Sequence, residues 1–339
     1  MLGRESAACG SSACSPKFPA PLLTRRRQAA LFNPIGLIVR AGETMTFEVV
    51  SVSGSIGAEV RGVDLRTCTD EVLERVRAVL HEYQVVFLRE SHLSADEHLS
   101  VAARFGTPST FPLAKLKGAT TPSMQVIADG PDSPPTAEMW HTDVTWISTP
   151  PRYALLCAEV VPTRGGDTLW ASMTAAYDAL SPLMQDFLAG LEVEHTTDSF
   201  VESILERGEN SSQAQELADR LHAAYPRIVV HPIVRTHPET GRRILFIGGP
   251  SMHRIVGMRR DESDALLGFL KNYVTDERFQ CRWRWARGDV AIWDERSTMH
   301  RSAADHFPQY RSIRRMEIDG DRPYFDPEAV VSEELSDAY

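Results

Sequence analysis

From Phe47 onward apolar and polar residues alternate in T-F-E-V-V-S-V, the period-2 pattern of a half-buried strand. The period then changes. In E-V-L-E-R-V-R-A-V-L-H-E-Y the apolar positions recur at helical spacing, and V-V-F-L-R after it reads as a buried strand. A second helix is predicted over 94–105, where Ser94 and Glu97 have the spacing of a capping box. Proline and glycine dominate residues 106–135 apart from a short strand in S-M-Q-V-I-A. Further strands are predicted in R-Y-A-L-L-C-A-E-V-V and G-G-D-T-L-W, and residues 172–222 read as helical. Strands return in R-I-V-V-H-P-I-V-R, R-R-I-L-F-I, R-W-R-W, D-V-A-I-W and S-I-R-R-M-E-I, interrupted by one helix in D-E-S-D-A-L-L-G-F-L-K-N-Y-V. Many short strands with helices inserted in two places predict a mainly β fold, a two-sheet sandwich decorated by helices, over a parallel doubly wound sheet.

Composition narrows the partners. The 339 residues are 42% hydrophobic and 24% charged, which is globular, and 46 acidic against 36 basic residues give a net charge of -10. That balance argues against nucleic acid and anionic membrane as partners, and no apolar run approaches the roughly 20 residues that cross a bilayer. Five scattered cysteines fit reduced thiols in a cytoplasm better than a disulfide framework. Residues 1–44 are rich in small residues and proline, with Arg25, Arg26 and Arg27 in a row; they read as a disordered or mis-assigned N-terminal extension. A twin-arginine export signal fits poorly, because Pro34 and Arg40 interrupt its apolar region. Met45 is the better start, which leaves residues 46–325 as the functional domain and 326–339 as an acidic C-terminal tail.

The candidate chemistry sits in W-H-T-D-V-T-W. On a strand, residues i and i+2 point the same way, so His141 and Asp143 can present an imidazole and a carboxylate to one point. The best third ligand is His300 in W-D-E-R-S-T-M-H-R-S. Two neutral imidazoles and a carboxylate on one face of an octahedral ion leave three positions open, the arrangement of non-heme Fe(II) oxygenases; a zinc hydrolase using the same triad is the enzyme rival. After His300, in R-S-I-R-R, Arg311, Ile313 and Arg315 fall on one face of a predicted strand and Arg314 on the other. Two inward guanidiniums each need an anion, because an unpaired buried charge is costly.

Taken together, W-H-T-D-V-T-W, G-G-D-T-L-W, R-W-R-W-A-R-G-D-V-A-I-W-D-E-R and H-R-S-A-A-D-H-F-P-Q-Y-R-S-I-R-R resemble the taurine dioxygenase family of Fe(II)/2-oxoglutarate oxygenases, in the family's order over about 46–325. The resemblance implies a double-stranded β-helix, or jelly roll. It implies iron held by His141, Asp143 and His300, and 2-oxoglutarate held by Thr168 and Arg311. With O2, such an enzyme converts 2-oxoglutarate to succinate and CO2 while hydroxylating a substrate C–H. Where the hydroxylated carbon carries a sulfate, sulfonate or ether oxygen, the product falls apart.

On the same resemblance, Arg315 binds the substrate's anionic group, with Val144 and Phe111 beside it. Phe111 and Ala114 stand where taurine enzymes place a histidine and a tyrosine, and Ala137 replaces an asparagine. These changes point away from taurine and toward a more apolar anion such as an alkyl sulfate, alkylsulfonate or aryloxy acid. The resemblance further implies a homo-oligomer, dimer or tetramer. A non-catalytic 2-oxoglutarate sensor of the same fold would be expected to lack one of the five ligand positions, and all five are present. Trp140, Trp146, Trp283, Trp285 and Trp293 read as core or pocket wall, His306 and His253 as surface or supporting residues, with His253 in G-G-P-S-M-H also placed to line the pocket, and Asp294 and Arg296 as the residues fixing the turn before His300.

Overall fold

The computed structural model describes residues 47–331 apart from 123, 136 and 208–210. The N-terminal extension and residues 332–339 of the acidic tail lie outside the described residues. The first part of the chain forms β1 (Glu48–Ser51), β2 (Ala58–Arg61), α1 (Asp70–Tyr83), β3 (Val85–Leu88), α2 (Ala95–Phe105), α3 (Pro112–Leu116) and β4 (Gln125–Asp129). The middle forms β5 (Tyr153–Val160), β6 (Thr168–Ser172), α4 (Met173–Asp178), α5 (Pro182–Leu188), β7 (Glu192–Thr196), α6 (Asp198–Arg207) and α7 (Ser211–Ala224). The last part forms β8 (Ile228–Pro232), β9 (Val234–Thr236), β10 (Arg243–Leu245), β11 (Met252–Ile255), α8 (Arg260–Val274), β12 (Gln280–Trp283), β13 (Val290–Asp294), β14 (Thr298–Ser302) and β15 (Arg311–Ile318).

The fold is mainly β with helices, as the alternating pattern predicts. A seven-stranded sheet runs in the order β1-β2-β3-β13-β5-β15-β4, and its β2–β3 pair is parallel. Alternation along β13 shows how it is covered. Val290 and Ile292 join one core with Leu73, Val76 and Leu80 of α1 and Val101, Ala102 and Phe105 of α2. Ala291 and Trp293 point the other way, into a second core with Trp170 of β6 and Cys281 and Trp283 of β12, which belong to the three-stranded sheet β12-β6-β14. The aromatic cluster of Phe87, Trp170, Trp283 and Trp293 therefore lies between two sheets. Each fully buried large side chain there contributes roughly 1.5–3 kcal/mol.

The helices begin where local chemistry allows it. Thr69 accepts from the Val72 N–H at the start of α1, and Ser94 and Glu97 form the predicted capping box of α2, with the Glu97 N–H to Ser94 Oγ at 3.2 Å and the Ser94 N–H to Glu97 Oε2 at 2.7 Å. The span 172–222 is not wholly helical: β7 interrupts it and pairs with both β8 and β11. E-V-E-H-T carries a single aliphatic residue, so its strand character comes from its partners rather than from its own pattern. Strands β11 and β14 likewise fall where no strand was predicted, and R-W-R-W is a strand only as far as Trp283.

Candidate active site

The H-x-D pair is not on a strand. His141 makes an isolated two-hydrogen-bond bridge to His300 of β14, with the His141 N–H to His300 O at 3.0 Å and the His300 N–H to His141 O at 2.8 Å. The chain then leaves the sheet at once, because Val144 has a left-handed φ of 51°. The two side chains still converge, through a bridge followed by a turn. Thr142, between them, points away and lies 3.0 Å from Thr298 O and 3.1 Å from Ile247 O through its hydroxyl. The turn is held from outside by two buried histidines: His231 Nε2–H donates to the carbonyls of Thr145 (2.9 Å) and Ile147 (3.0 Å), and His195 Nδ1 lies 3.0 Å from Thr145 Oγ1.

His141 Nε2 lies 3.5 Å from Asp143 Oδ1, and His300 Nε2 lies 3.6 Å from Asp143 Oδ2. The three ligand atoms fall within 4.8 Å of one another. His141 Nδ1 is 2.7 Å from Met139 O. A carbonyl can only accept, so Nδ1 carries a proton, and Nε2 is the ring atom turned toward the carboxylate. Burial first, then the neighbouring His141, pushes His300 down to about 3, which keeps it neutral. Burial alone would raise Asp143, but the Arg315 guanidinium beside it holds it well below the usual carboxylate range. Two imidazole nitrogens and a carboxylate turned toward one point are a donor set that fits a divalent cation.

A second group, His81, His237 and Asp294, is as tightly gathered. Its members satisfy one another instead. His237 Nε2–H donates to Asp294 Oδ2 (2.9 Å), His237 Nδ1 accepts from the N–H groups of Glu239 and Thr240, and His81 Nε2 is 2.6 Å from the Tyr153 hydroxyl. Asp294 also accepts from Arg296 N and Nε at 2.9 Å, so the pair fixes the turn into β14 as the sequence predicts.

Thr168 and Arg311 meet in the buried space between the sheets. Arg311 donates from Nε to Gly166 O (3.0 Å), from Nη1 to Asp129 Oδ2 (3.4 Å) and from Nη2 to Thr168 Oγ1 (3.4 Å). Thr168 Oγ1 also accepts from Trp285 Nε1 at 3.0 Å, which leaves the hydroxyl proton of Thr168 to donate elsewhere. Sequence reasoning missed Asp129 and gave Trp285 only a wall role. It also set His306 aside, which is buried with Nε2 at 3.6 Å from Asp129 Oδ2.

Arg315 lies inward beside the triad, on the same face as Arg311 and Ile313, while Arg314 is buried on the opposite face, where it pairs with Glu159. Its Nη2 is 3.2 Å from Asp143 Oδ2 and donates to Glu317, and its guanidinium carbon lies 5.8 Å from the Phe111 ring centre. Two buried acids next to it escaped the sequence reading. Glu295 accepts from Trp293 Nε1 (2.8 Å) and from the Asp143 N–H (3.2 Å); burial, and then the Asp143 charge, push it well above the usual range. Burial raises Glu317 as well, against the pull of Arg315. Val144 and Glu317 line a cavity of about 210 Å³ with Thr110, Ile147 and Tyr225. A larger cavity of about 490 Å³ lies between α5 and α8, is walled by apolar residues such as Phe187 and Phe269, and holds no member of the triad.

Residues 48–317 match the model of the family described as taurine catabolism dioxygenase TauD, TfdA family. An alpha-ketoglutarate-dependent sulfate ester dioxygenase of Pseudomonas putida is 32% identical over 288 residues, 84% of this chain and 94% of that protein. An alpha-ketoglutarate-dependent 2,4-dichlorophenoxyacetate dioxygenase of Cupriavidus pinatubonensis is 33% identical over 276 residues, 76% of this chain and 92% of that protein. The crystal structure of a taurine dioxygenase from Burkholderia xenovorans superimposes with a TM-score of 0.68 at 32% identity, over 86% of this chain and 97% of that one.

Proposed function

The chain belongs to the taurine catabolism dioxygenase TauD/TfdA family, and from that membership we propose an Fe(II)- and 2-oxoglutarate-dependent dioxygenase that hydroxylates a small anionic organic compound. The observation that carries the reading is the convergence of His141 Nε2, the Asp143 carboxylate and His300 Nε2 within 4.8 Å of one another. This donor set suits iron, which when bound couples the oxidation of 2-oxoglutarate by O2 to hydroxylation of a C–H bond, releasing succinate and CO2. The relatives named above are dioxygenases, which favours this reading over a zinc hydrolase or a non-catalytic sensor.

The protein's residues then divide the work. His141, Asp143 and His300 hold the metal. Arg311 grips the distal carboxylate of 2-oxoglutarate, for which Asp129 and Gly166 O hold the guanidinium in place, and Thr168 donates its free hydroxyl proton to the same group. Arg315 takes the anionic end of the substrate, and Phe111 and Val144 form an apolar wall beside it. That wall fits an alkyl sulfate, alkylsulfonate or aryloxy acid better than taurine. We read residues 46–325 as the dioxygenase domain, its two facing sheets as the jelly-roll core, and the protein as a cytoplasmic homo-oligomer. No helix among the described residues is long and apolar enough to cross a membrane.

The test is succinate formation from 2-oxoglutarate with alkyl sulfates, alkylsulfonates and aryloxy acids, each with and without Fe(II) and O2. Turnover should require both and vanish in Asp143→Ala. Wild-type rates from that variant, or full activity with zinc under argon, would rule the assignment out.

A further inference from the structure

Resting on that reading, we propose that Glu317 is a specificity-determining residue: it occupies the edge of Arg315 that the substrate anion needs, and the anion binds by displacing it. Arg315 is not a bare receptor. Its Nη2 is shared between Glu317 Oε1, to which it donates, and Asp143 Oδ2 at 3.2 Å, while its Nε–H is buried with no partner. Both side chains are about nine-tenths buried or more, at 10% and 2% exposure for Arg315 and Glu317, so neither charge is relieved by water. Glu317 therefore uses only part of the guanidinium fork. An oxyanion that accepts from Nε–H and one terminal N–H together makes two charge-assisted bonds where Glu317 makes one, and can win the exchange.

The cavity beside Glu317 is built to receive the displaced carboxylate. Ser109 lines it, its backbone N–H donates to the Glu317 carbonyl at 2.8 Å, and its hydroxyl is buried without any hydrogen-bond partner. Lys115 is the one basic side chain lining the same cavity. A carboxylate swung off Arg315 thus finds an idle hydroxyl and a cation of its own, with Asp319 the one other acid on the cavity wall. The consequence is selectivity: a weak, one-point anion fails to dislodge Glu317, whereas a sulfate, sulfonate or carboxylate group presented edge-on does so.

Anaerobic calorimetry of the Fe(II)- and 2-oxoglutarate-loaded protein with hexyl sulfate and with 2,4-dichlorophenoxyacetate reads this directly. Glu317→Gln removes the competing charge at nearly constant volume and should tighten both probes by about tenfold, with the kinetic effect in KM more than in kcat. Ser109→Ala should weaken them about threefold in the wild-type background and leave Glu317→Gln unaffected, a coupling that a merely structural serine would not show. Unchanged or weaker binding in Glu317→Gln, or a Ser109→Ala effect equal in both backgrounds, overturns the proposal, as does failure of both probes to bind either form. Failure of the dioxygenase reading is registered separately, as absence of succinate formation with any anion.

Discussion

At the scale of single residues, the gathering of His141, Asp143 and His300 was legible because their motifs carry chemistry in their spacing, and the groups around Thr168 and Arg311 were not because register brings them in. Asp129 reaches Arg311 only because β4 and β15 pair with those two residues opposite each other. Trp285 reaches Thr168 because β12 and β6 pair with Trp283 opposite Thr168. Glu317 is different: the alternation that turns Arg311 and Arg315 inward turns it inward too, so the signal was present and only its sign was unexpected. Arg311 offers the sharpest residue-level prediction. Its planar fork is fixed by Gly166 O and Asp129, and a lysine would keep the charge but lose the two-point grip. A loss of roughly 1.5–3 kcal/mol follows, about 10- to 150-fold in affinity. Titration of Arg311→Lys with 2-oxoglutarate should show that weakening, and an unchanged KM for 2-oxoglutarate would mean that the cosubstrate is held elsewhere.

At the scale of elements, the departure from expectation is that His141 and Asp143 share no strand. Only His141 is paired, and a left-handed Val144 bends the chain away. A β-branched residue at positive φ is strained by about 1–3 kcal/mol, and the ring of His231 under the turn helps to hold it. The segment G-G-P-S-M-H, noted in sequence only for its histidine, matters through a glycine. Gly249 has φ +67°, and a Cβ there would stand 2.4 Å from Trp140 O and 3.0 Å from His141 Cα. Both contacts are backbone, so neither can step aside as a flexible side chain would. Gly249→Ala should therefore push the 140–141 bridge off β14, destabilise the fold by about 2 kcal/mol or more, and weaken Fe(II) binding at least tenfold. Anaerobic metal titration checks the second effect independently of activity. Tight metal binding with a normal melting temperature would show that the bridge is more pliant than its hydrogen bonds imply.

At the scale of the whole molecule, local patterns announced a mainly β fold, but the order of the seven-stranded sheet, in which β13 and β15 return to flank β5, depends on long-range pairing that no window of sequence contains. Folding buries histidines far apart in the chain, His98 and His231 fully and His81 in part. Burial pushes His81, His98 and His231 down to about 4 each, His98 with further lowering from Arg314. The unfolded chain protonates its histidines near the ordinary value of 6.5, whereas these three stay neutral in the folded state until about pH 4. A group whose folded-state value is depressed in this way gives its full stability above 6.5 and loses it as the pH falls through the window down to 4. Each histidine corresponds to on the order of 3 kcal/mol over that window, against a typical total of about 5–15 kcal/mol. Glu295 and Glu317, raised by burial, act in the opposite sense because protonation relieves their buried charge, so they soften the acid limb without reversing it. Urea midpoints should accordingly be level from pH 8 to 7, fall from about 6.5 and collapse before pH 4. Three single His→Gln variants should each flatten that slope in proportion. A midpoint unchanged between pH 7 and 5 would mean that these rings take up protons in the folded state as readily as in water, and that the folded chain does not hold them dry.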